Sequence, residues 1–140
     1  MRSIIHLNSF IICLLIFTGC SSVSAPDLVF IEGYWEIESV HAHGEVFEPK
    51  GATPMIDFYQ LNSEKSGFKK KMKPIFNGLF QSSEDRVTFI IQKEGNRFFI
   101  HFNNALTPWK EEIRSLSPEE MILFHNDKAY HYKRYQKIAL

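Results

Sequence analysis

The sequence predicts an all-β domain, an antiparallel up-and-down meander of about eight to ten short strands. After residue 27 no window sustains a helical hydrophobic period for about three turns. Apolar and polar residues instead alternate over short stretches rich in Phe, Ile, Val and Tyr. Gly, Pro, Asn and Asp separate these stretches, as they do in tight turns. Such a sheet avoids exposed edges by closing into a barrel or by folding into a sandwich.

The composition limits the class of protein. A chain of 140 residues supports one domain. Its 14% aromatic and 23% charged residues exclude a disordered chain, which buries too little apolar surface. The 16 basic residues are balanced by 16 acidic ones, so no basic groove for a nucleic-acid partner is expected.

Residues 1–19 are predicted to be a lipoprotein signal peptide. The apolar run 10–17 is shorter than the roughly 20 residues that span a bilayer, but it suits the core of a signal peptide. Thr18-Gly19-Cys20 resembles the lipobox of bacterial lipoproteins. The alternative is an anchor that stays attached, with Cys20 as a small buried residue. The small, polar residues 20–26 then form a tether, and residues 27–140 form the barrel domain.

The lipobox resemblance implies that Cys20 is acylated, with fatty-acyl chains such as palmitate, and becomes the first residue of the processed protein. Several acyl chains hold a protein firmly to a membrane. We therefore expect an anchored lipoprotein of the bacterial cell envelope, on the outer membrane or facing the periplasm. Cys13 leaves with the signal peptide, so the domain keeps no thiol that could mispair in an oxidising compartment.

Asp27–Glu32, before the first strand, is the only segment where a short helix is compatible with the sequence, and a tight turn is predicted at Ser117–Glu120. The predicted strands are Tyr34–Val40, Val46–Phe47, Met55–Leu61, Gly67–Met72, Gly78–Gln81, Arg86–Gln92, Asn96–Asn103, Trp109–Leu116, Met121–His125 and Ala129–Tyr135.

Two hairpins are clear from the alternation. In residues 86–103 a two-residue loop at Glu94-Gly95 would pair Val87 with Phe102 and Phe89 with Ile100. The same register pairs Ile91 with Phe98, Thr88 with His101 and Gln92 with Arg97, so one face is wholly apolar. The second hairpin turns at Asn126-Asp127-Lys128.

Two residues favour the barrel over the sandwich. Gly33-Tyr34-Trp35 opens the first strand, and Arg134 lies in the last strand. This pattern resembles the lipocalins and related barrels, in which Gly-x-Trp begins the first strand and a late Arg packs across the Trp ring. The resemblance implies structural roles for Gly33, Trp35 and Arg134 at a closed barrel end. A guanidinium on an indole gains cation–π attraction while its stem covers apolar surface.

Further motifs point to one group within that family. Trp-Lys-Glu-Glu-Ile and Leu-Ser within residues 109–117, together with Tyr130-x-Tyr132-x-Arg134, look like small lipocalin-like lipoproteins of envelope-bearing bacteria. The fold expected from the resemblance is a small lipocalin-like barrel. The expected function is to hold a small apolar or amphipathic molecule.

Aromatic and aliphatic residues predicted to share the inward face are the candidate lining of a ligand cavity. A ring of such side chains suits an apolar cavity and a fully packed core equally well. The filled barrel, a structural or interaction protein that engages another envelope component, therefore stays open as the alternative. The residues are Ile37, Phe58, Phe89, Ile91, Phe98, Ile100, Phe102, Tyr130 and Tyr132.

Two polar clusters have alternative interpretations. His41, His43 and Glu45 would share a strand face as metal ligands, but a polar hairpin turn at Gly44 is favoured, and no metal ion is expected. The lysines at 69–71 and 73 could line a barrel mouth and attract an acidic group. A solvated edge strand is favoured for them, since Lys on an edge blocks intermolecular pairing.

An enzyme is not expected. Glu111 and Glu112 are adjacent, so on a strand they face opposite sides and cannot act as a pair. Alternation leaves open whether Asp57 faces inward or outward. The sequence contains no serine elbow, phosphate loop or dinucleotide fingerprint, and no cofactor is expected.

Overall fold

The computed structural model describes residues 23–104 and 106–136. The predicted signal peptide and Cys20 lie outside these ranges. Two short 3₁₀ helices lie at Pro26–Ile31 and Phe76–Gly78. The strands are β1 (Gly33–Ala42), β2 (Glu45–Phe47), β3 (Ile56–Leu61), β4 (Ser66–Pro74), β5 (Phe80–Glu94), β6 (Arg97–Asn103), β7 (Trp109–Leu116), β8 (Glu120–His125) and β9 (Lys128–Arg134).

Eight of these strands form a closed antiparallel barrel, which confirms the predicted fold class. From β3 to β9 each strand pairs with the next along the chain, and β1 pairs with both β3 and β9. The ninth strand, β2, pairs with the end of β1 at Val40–Ala42. Closure pairs the barrel strands on both sides, which removes most of the open edge that would invite aggregation.

One end of the barrel is closed by the first 3₁₀ helix, which lies in the one segment where the sequence allowed a short helix. Leu28 and Ile31 of this helix are buried in the same apolar cluster as Trp35 of β1. We call this the closed end, where β1 begins and β9 ends. The opposite end, where β1 ends and β9 begins, is called the mouth.

The predicted pairing of β5 with β6 is wrong by two residues. Phe89 pairs with Phe102 and Ile91 with Ile100, and the loop is Gly95-Asn96. Gly95 has φ of 61°, as glycine does in the first central position of a type II′ turn. A slip of two keeps every side chain on its predicted face, because the strand period is two.

The second half of the predicted stretch 78–81 and the whole of 86–92 belong to one long strand, β5, which begins at Phe80 and pairs with β4. The register shifts between Lys70 and Met72, and beyond this point the hairpin lies against the outer face of β1, because Phe80 contacts the outward-facing Tyr34. There Phe80 stacks on Tyr34, with ring centroids 4.9 Å apart, and meets the ring of Tyr135 edge-on at 5.8 Å.

The favoured edge-strand interpretation of the lysine run is wrong. β4 pairs with β3 on one side and with β5 on the other, so it is an interior strand of the barrel. Charge on an interior strand must face either solvent or the barrel lumen, and alternation divides these lysines between the two.

The favoured hairpin turn at Gly44 is confirmed. His43 and Gly44 have φ of 52° and 80° and connect β1 to β2. His41 lies on the outer face of β1 and stacks on His131 of β9, with ring centroids 4.0 Å apart. Burial and the neighbouring His41 both disfavour the charged ring, so the pKa of His131 is lowered.

The other predicted turns are also present. Asn126 and Asp127 have φ of 48° and 58°, as a type I′ hairpin between β8 and β9 requires. The Ser117 amide donates to the Glu120 carbonyl at 2.8 Å across the tight turn before β8. Across residues 23–104 and 106–136, none of the helices is long and apolar enough to cross a membrane.

Candidate functional site

Trp35 and Arg134 meet at the closed end, where their backbones are also paired. The Arg134 guanidinium carbon lies 3.8 Å from the centroid of the fully buried Trp35 ring. The Trp35 indole N–H donates to the Ile31 carbonyl at 2.8 Å. The contact implied by the family resemblance is therefore present, and it ties the first 3₁₀ helix to β1.

The Arg134 guanidinium also binds three backbone carbonyls. It donates to Glu32 and Phe30, both at 2.6 Å, and to Pro118 at 2.7 Å. These carbonyls belong to the 3₁₀-helix segment and to the turn before β8, so one side chain joins three parts of the chain. Charge-assisted hydrogen bonds of this kind are roughly twice as strong as neutral ones.

Gly33 makes room for this guanidinium. A Cβ at Gly33 would lie 2.6 Å from Arg134 Nη1, and its φ of 120° is one that other residues rarely adopt. Gly33 is thus required both by its backbone conformation and by the close approach of Arg134.

Six of the nine residues predicted to line a cavity have little or no accessible surface. None of these six is more than 6% exposed. A cavity of ligand size would leave accessible area on its walls, so side chains fill the barrel at these positions. The residues are Phe89, Ile91, Phe98, Ile100, Phe102 and Tyr132.

Phe58 does not line the interior, which corrects that prediction. It pairs with Tyr34, whose side chain points outward because Trp35 beside it points inward. The Phe58 ring lies 4.7 Å from the Tyr34 ring and 6.2 Å from the Phe68 ring, in an aromatic cluster on the outer face. In β3 an acidic residue faces inward and Phe58 faces outward, the reverse of the usual pattern.

That inward acidic residue is Asp57, which is 1% exposed. Lys71 Nζ lies 2.5 Å from one carboxylate oxygen, and Lys69 Nζ lies 3.4 Å from the other. The Tyr132 hydroxyl donates to the second oxygen at 3.3 Å. The interior thus contains one carboxylate held between two ammonium groups, with Lys71 on the mouth side because β4 runs toward the mouth.

Lys69 remains charged in this environment. Burial disfavours its ammonium form, but the attraction of Asp57, with smaller contributions from Tyr132 and Glu111, outweighs burial and raises the pKa of Lys69. Its Nζ also lies 5.4 Å from the Tyr59 ring centroid and 5.1 Å from that of Phe102. Cation–π attraction adds to its stabilisation there.

Tyr59 completes this layer with a hydroxyl that has no hydrogen-bond partner among the described residues. The residue is fully buried beside the charged cluster. Burial and the nearby carboxylates Glu111 and Asp57 raise the pKa of Tyr59 well above its usual value of 10, so the hydroxyl stays protonated. An unpaired buried hydroxyl costs about 1–3 kcal/mol.

Glu111 of β7 is the second interior carboxylate, since it pairs with the inward-facing Ile100. Its side chain accepts a hydrogen bond of 3.0 Å from the Trp109 indole N–H. Glu112, its neighbour along the chain, faces outward and pairs with Arg97 at 3.4 Å, as the predicted alternation requires. We call Asp57, Lys69, Lys71, Tyr59 and Glu111 the interior cluster.

The chain resembles two solved Bacteroides proteins. One is described as a lipocalin-like protein from Bacteroides uniformis ATCC 8492, with 11% identity, a TM-score of 0.47, and coverage of 76% of this chain and 99% of that chain. The other is an uncharacterized protein from Bacteroides eggerthii DSM 20697, with 11% identity, a TM-score of 0.46, and coverage of 74% and 98%. No protein-family model and no curated protein matches the chain.

At this identity no site residue is transferred from those proteins, so the interior cluster rests on its own geometry. A buried ion cluster is a poor source of stability, because the desolvation cost offsets the attraction between the charges. Such groups are over-represented where proteins bind ligands or catalyse reactions. The cluster could have been found by noting that Asp57 interrupts the apolar residues of β3.

The outer surface carries a separate groove of about 600 Å³ across β4, β5 and β6. Its outward-facing walls include Phe68, Arg86 and His101, and the Arg86 guanidinium lies 5.5 Å from the Phe68 ring centroid. Among residues 23–104 and 106–136, no three His, Cys, Asp or Glu side chains are grouped so that they could hold a metal ion.

Proposed function

We propose that this protein is a lipid-anchored, non-catalytic component of the bacterial cell envelope that binds a small amphipathic molecule at the barrel mouth. The observation that supports binding is the interior cluster, in which two lysines and the Tyr132 hydroxyl contact one buried carboxylate and the Tyr59 hydroxyl has no partner among the described residues. The proposed attachment is through Cys20, on the outer membrane or facing the periplasm.

The exposure of the charged side chains indicates the polarity of the ligand. Lys71 is 48% exposed, whereas Asp57 is 1% exposed, so the charge that a ligand meets first is positive. An anionic head that binds Lys71 would draw its side chain away from Asp57. This movement would open a path to Lys69 and to the Tyr59 hydroxyl, which has hydrogen-bonding capacity to spare.

The apolar part of the ligand would lie in the upper part of the barrel. Because side chains fill the barrel at the six buried positions, the proposed site is shallow and differs from the deep Phe- and Ile-lined pocket expected from the sequence. Partly buried apolar side chains on the mouth side of the core supply the contact area. These are Ile37, Val87, Trp109 and Tyr130.

The packed interior favours a second candidate. If the barrel binds no small molecule, its filled core makes it a scaffold whose outer face engages another envelope component. Both candidates share the anchor and the barrel, and ligand titration separates them.

The decisive variant is Tyr59→Phe. A fluorescent fatty acid is titrated into the chain that starts at Ser21, which contains every strand of the barrel. We expect saturation near one per chain, and we expect Tyr59→Phe to weaken binding about five- to tenfold through loss of one hydrogen bond. The urea midpoint should not fall, because this hydroxyl has no partner without ligand.

A matched pair of lysine variants serves as the control. Lys71 faces the interior, whereas Lys70 beside it pairs with the outward-facing Phe58. Lys71→Met should weaken fatty-acid binding, and Lys70→Met should leave it unchanged. Absence of saturable binding in a folded protein would reject the binding proposal and leave the scaffold. Equal effects of the two lysine variants would place the site elsewhere.

The anchor is tested in the full chain expressed in a bacterium. Cys20→Ser should abolish incorporation of labelled palmitate and leave an unprocessed precursor on gels. Cys13→Ser serves as the control and should be labelled and processed normally. Undiminished labelling of the Cys20→Ser variant would rule out this attachment site.

A further inference from the structure

We propose that the tip of the β4–β5 hairpin is a membrane-contact surface that inserts into the headgroup region of an anionic bilayer. We define the hairpin tip as residues 74–80. Phe76 is 84% exposed, Leu79 is 62% exposed and Ile75 is 46% exposed, so three large apolar side chains face solvent within five residues. Singly exposed apolar residues are ordinary, but a contiguous group at a protruding turn marks an interaction surface.

The hairpin tip has a defined shape and position. The Ile75 amide donates to the Leu79 carbonyl at 2.9 Å, and Asn77 and Gly78 have φ of 64° and 67° between them. Phe80, at the base of the tip, packs on Tyr34 and Tyr135. Tyr34 is the second residue of β1 and Tyr135 follows β9, so this packing holds the tip beside the closed end.

The chain enters the barrel at the same end. Pro26 begins the helix that closes it, and Cys20 precedes Pro26 by six residues. Fully extended, six residues span at most about 20 Å. The position of the bilayer therefore rests on the proposed attachment through Cys20, which would hold the membrane within about this distance of the closed end and of the hairpin tip.

The charge of the hairpin matches an anionic lipid surface. The whole chain has no net charge, yet residues 65–83 contain five lysines and no acidic residue. Lys69 and Lys71 both form ion pairs with Asp57, which is buried. Lys70 and Lys73 form no ion pair within the described ranges, and each lysine near a membrane surface attracts anionic headgroups. A narrow apolar tip with lysines behind it suits a bilayer better than the broad face of a protein partner.

The chain that starts at Ser21 lacks the proposed lipid anchor, so it tests membrane contact by the hairpin tip alone. Its result therefore distinguishes failure of the hairpin-tip proposal from failure of the proposed attachment through Cys20. It contains no cysteine, because the protein has only Cys13 and Cys20. Leu79→Cys is labelled with an environment-sensitive fluorophore. Leu106→Cys, 91% exposed in the loop between β6 and β7 at the mouth, is the control. With vesicles of phosphatidylcholine and phosphatidylglycerol, the Leu79 label should brighten several-fold and the Leu106 label should not change.

Matched variants identify the contributing side chains. Phe76→Ser should lower the vesicle partition coefficient at least about tenfold, since it removes an inserted aromatic ring. Leu106→Ser should leave partitioning unchanged. Lys73→Gln should lower it about fivefold on anionic vesicles and not on phosphatidylcholine alone.

Three results of the vesicle experiments would overturn the inference. They are a folded chain that does not bind vesicles, a response of the Leu106 label in place of the Leu79 label, and partitioning that is unaffected by Phe76→Ser. A change at Leu79 that depends on protein concentration without vesicles would also overturn it, because the partner would then be a second copy. None of these outcomes would argue against the proposed fatty-acid binding at the mouth, which is tested by a separate titration.

Discussion

Replacing Asp57 with alanine is expected to lower the free energy of unfolding by about 3–5 kcal/mol, because it leaves a buried charge without its partner. Lys69 is 13% exposed and would keep its ammonium group inside the barrel with no carboxylate at 3.4 Å. Lys71 is more exposed and can turn to solvent, so most of the loss comes from Lys69. Urea unfolding followed by tryptophan fluorescence measures the change.

A double variant separates the loss of a partner from the loss of packing. Asp57→Leu combined with Lys69→Met removes both charges, and we expect it to recover most of the stability, since apolar replacements of buried ion pairs are often neutral or stabilising. Glu84→Ala, at an exposed acidic residue, should change stability by less than about 0.5 kcal/mol. A loss below about 1 kcal/mol for Asp57→Ala would mean that the two lysines do not depend on this carboxylate.

Removal of the Trp35 indole is expected to cost about 3–5 kcal/mol, and removal of the Arg134 side chain about 2–4 kcal/mol. Trp35→Ala leaves a cavity beneath the 3₁₀ helix, and Arg134→Ala leaves three carbonyls without their shared donor. The double variant should cost less than the sum of the single ones, because each removes the same stacking contact of 3.8 Å. Urea unfolding of all four proteins gives the coupling energy.

Arg134→Lys provides a control for charge alone. Lysine keeps the positive charge but lacks the planar fork that reaches several carbonyls at once, so we expect it to lose most of what alanine loses. Strict additivity of Trp35→Ala and Arg134→Ala would contradict the contact, and full stability of Arg134→Lys would show that charge alone matters.

The alternation of apolar and polar residues predicted most of the strands and most of the side chains that face the barrel interior. Phe89, Ile91 and Phe98 are buried as predicted, although their partners in the hairpin lie two residues away. The face of a side chain depends only on parity, whereas pairing depends on where the turn falls. Glu94-Gly95 and Gly95-Asn96 both place a glycine in the loop, so local sequence does not separate them.

The candidate site was harder to predict, because tertiary structure overrides the usual preference for burial. Phe58 is partly covered although it faces outward, since it packs on the Tyr34 ring, over which Phe80 of the β4–β5 hairpin also stacks. Asp57 is tolerated inside because two lysines from β4 reach it. Those contacts join residues that come close only when β3 and β4 pair. The alternation pattern of each strand does not predict which strand is its neighbour or in what register.

Closure of the barrel by β1 and β9 also affects the order of events in folding. Arg134 binds carbonyls more than 100 residues earlier in the sequence, so the closed end cannot be completed until the last strand is available. Contacts between residues so far apart in the sequence stabilise the fold only after a long loop has closed. The entropy lost in closing that loop slows folding. A chain that cannot close early remains open for longer after synthesis. The same pairing that removes the sheet edge in the finished barrel thus delays its completion.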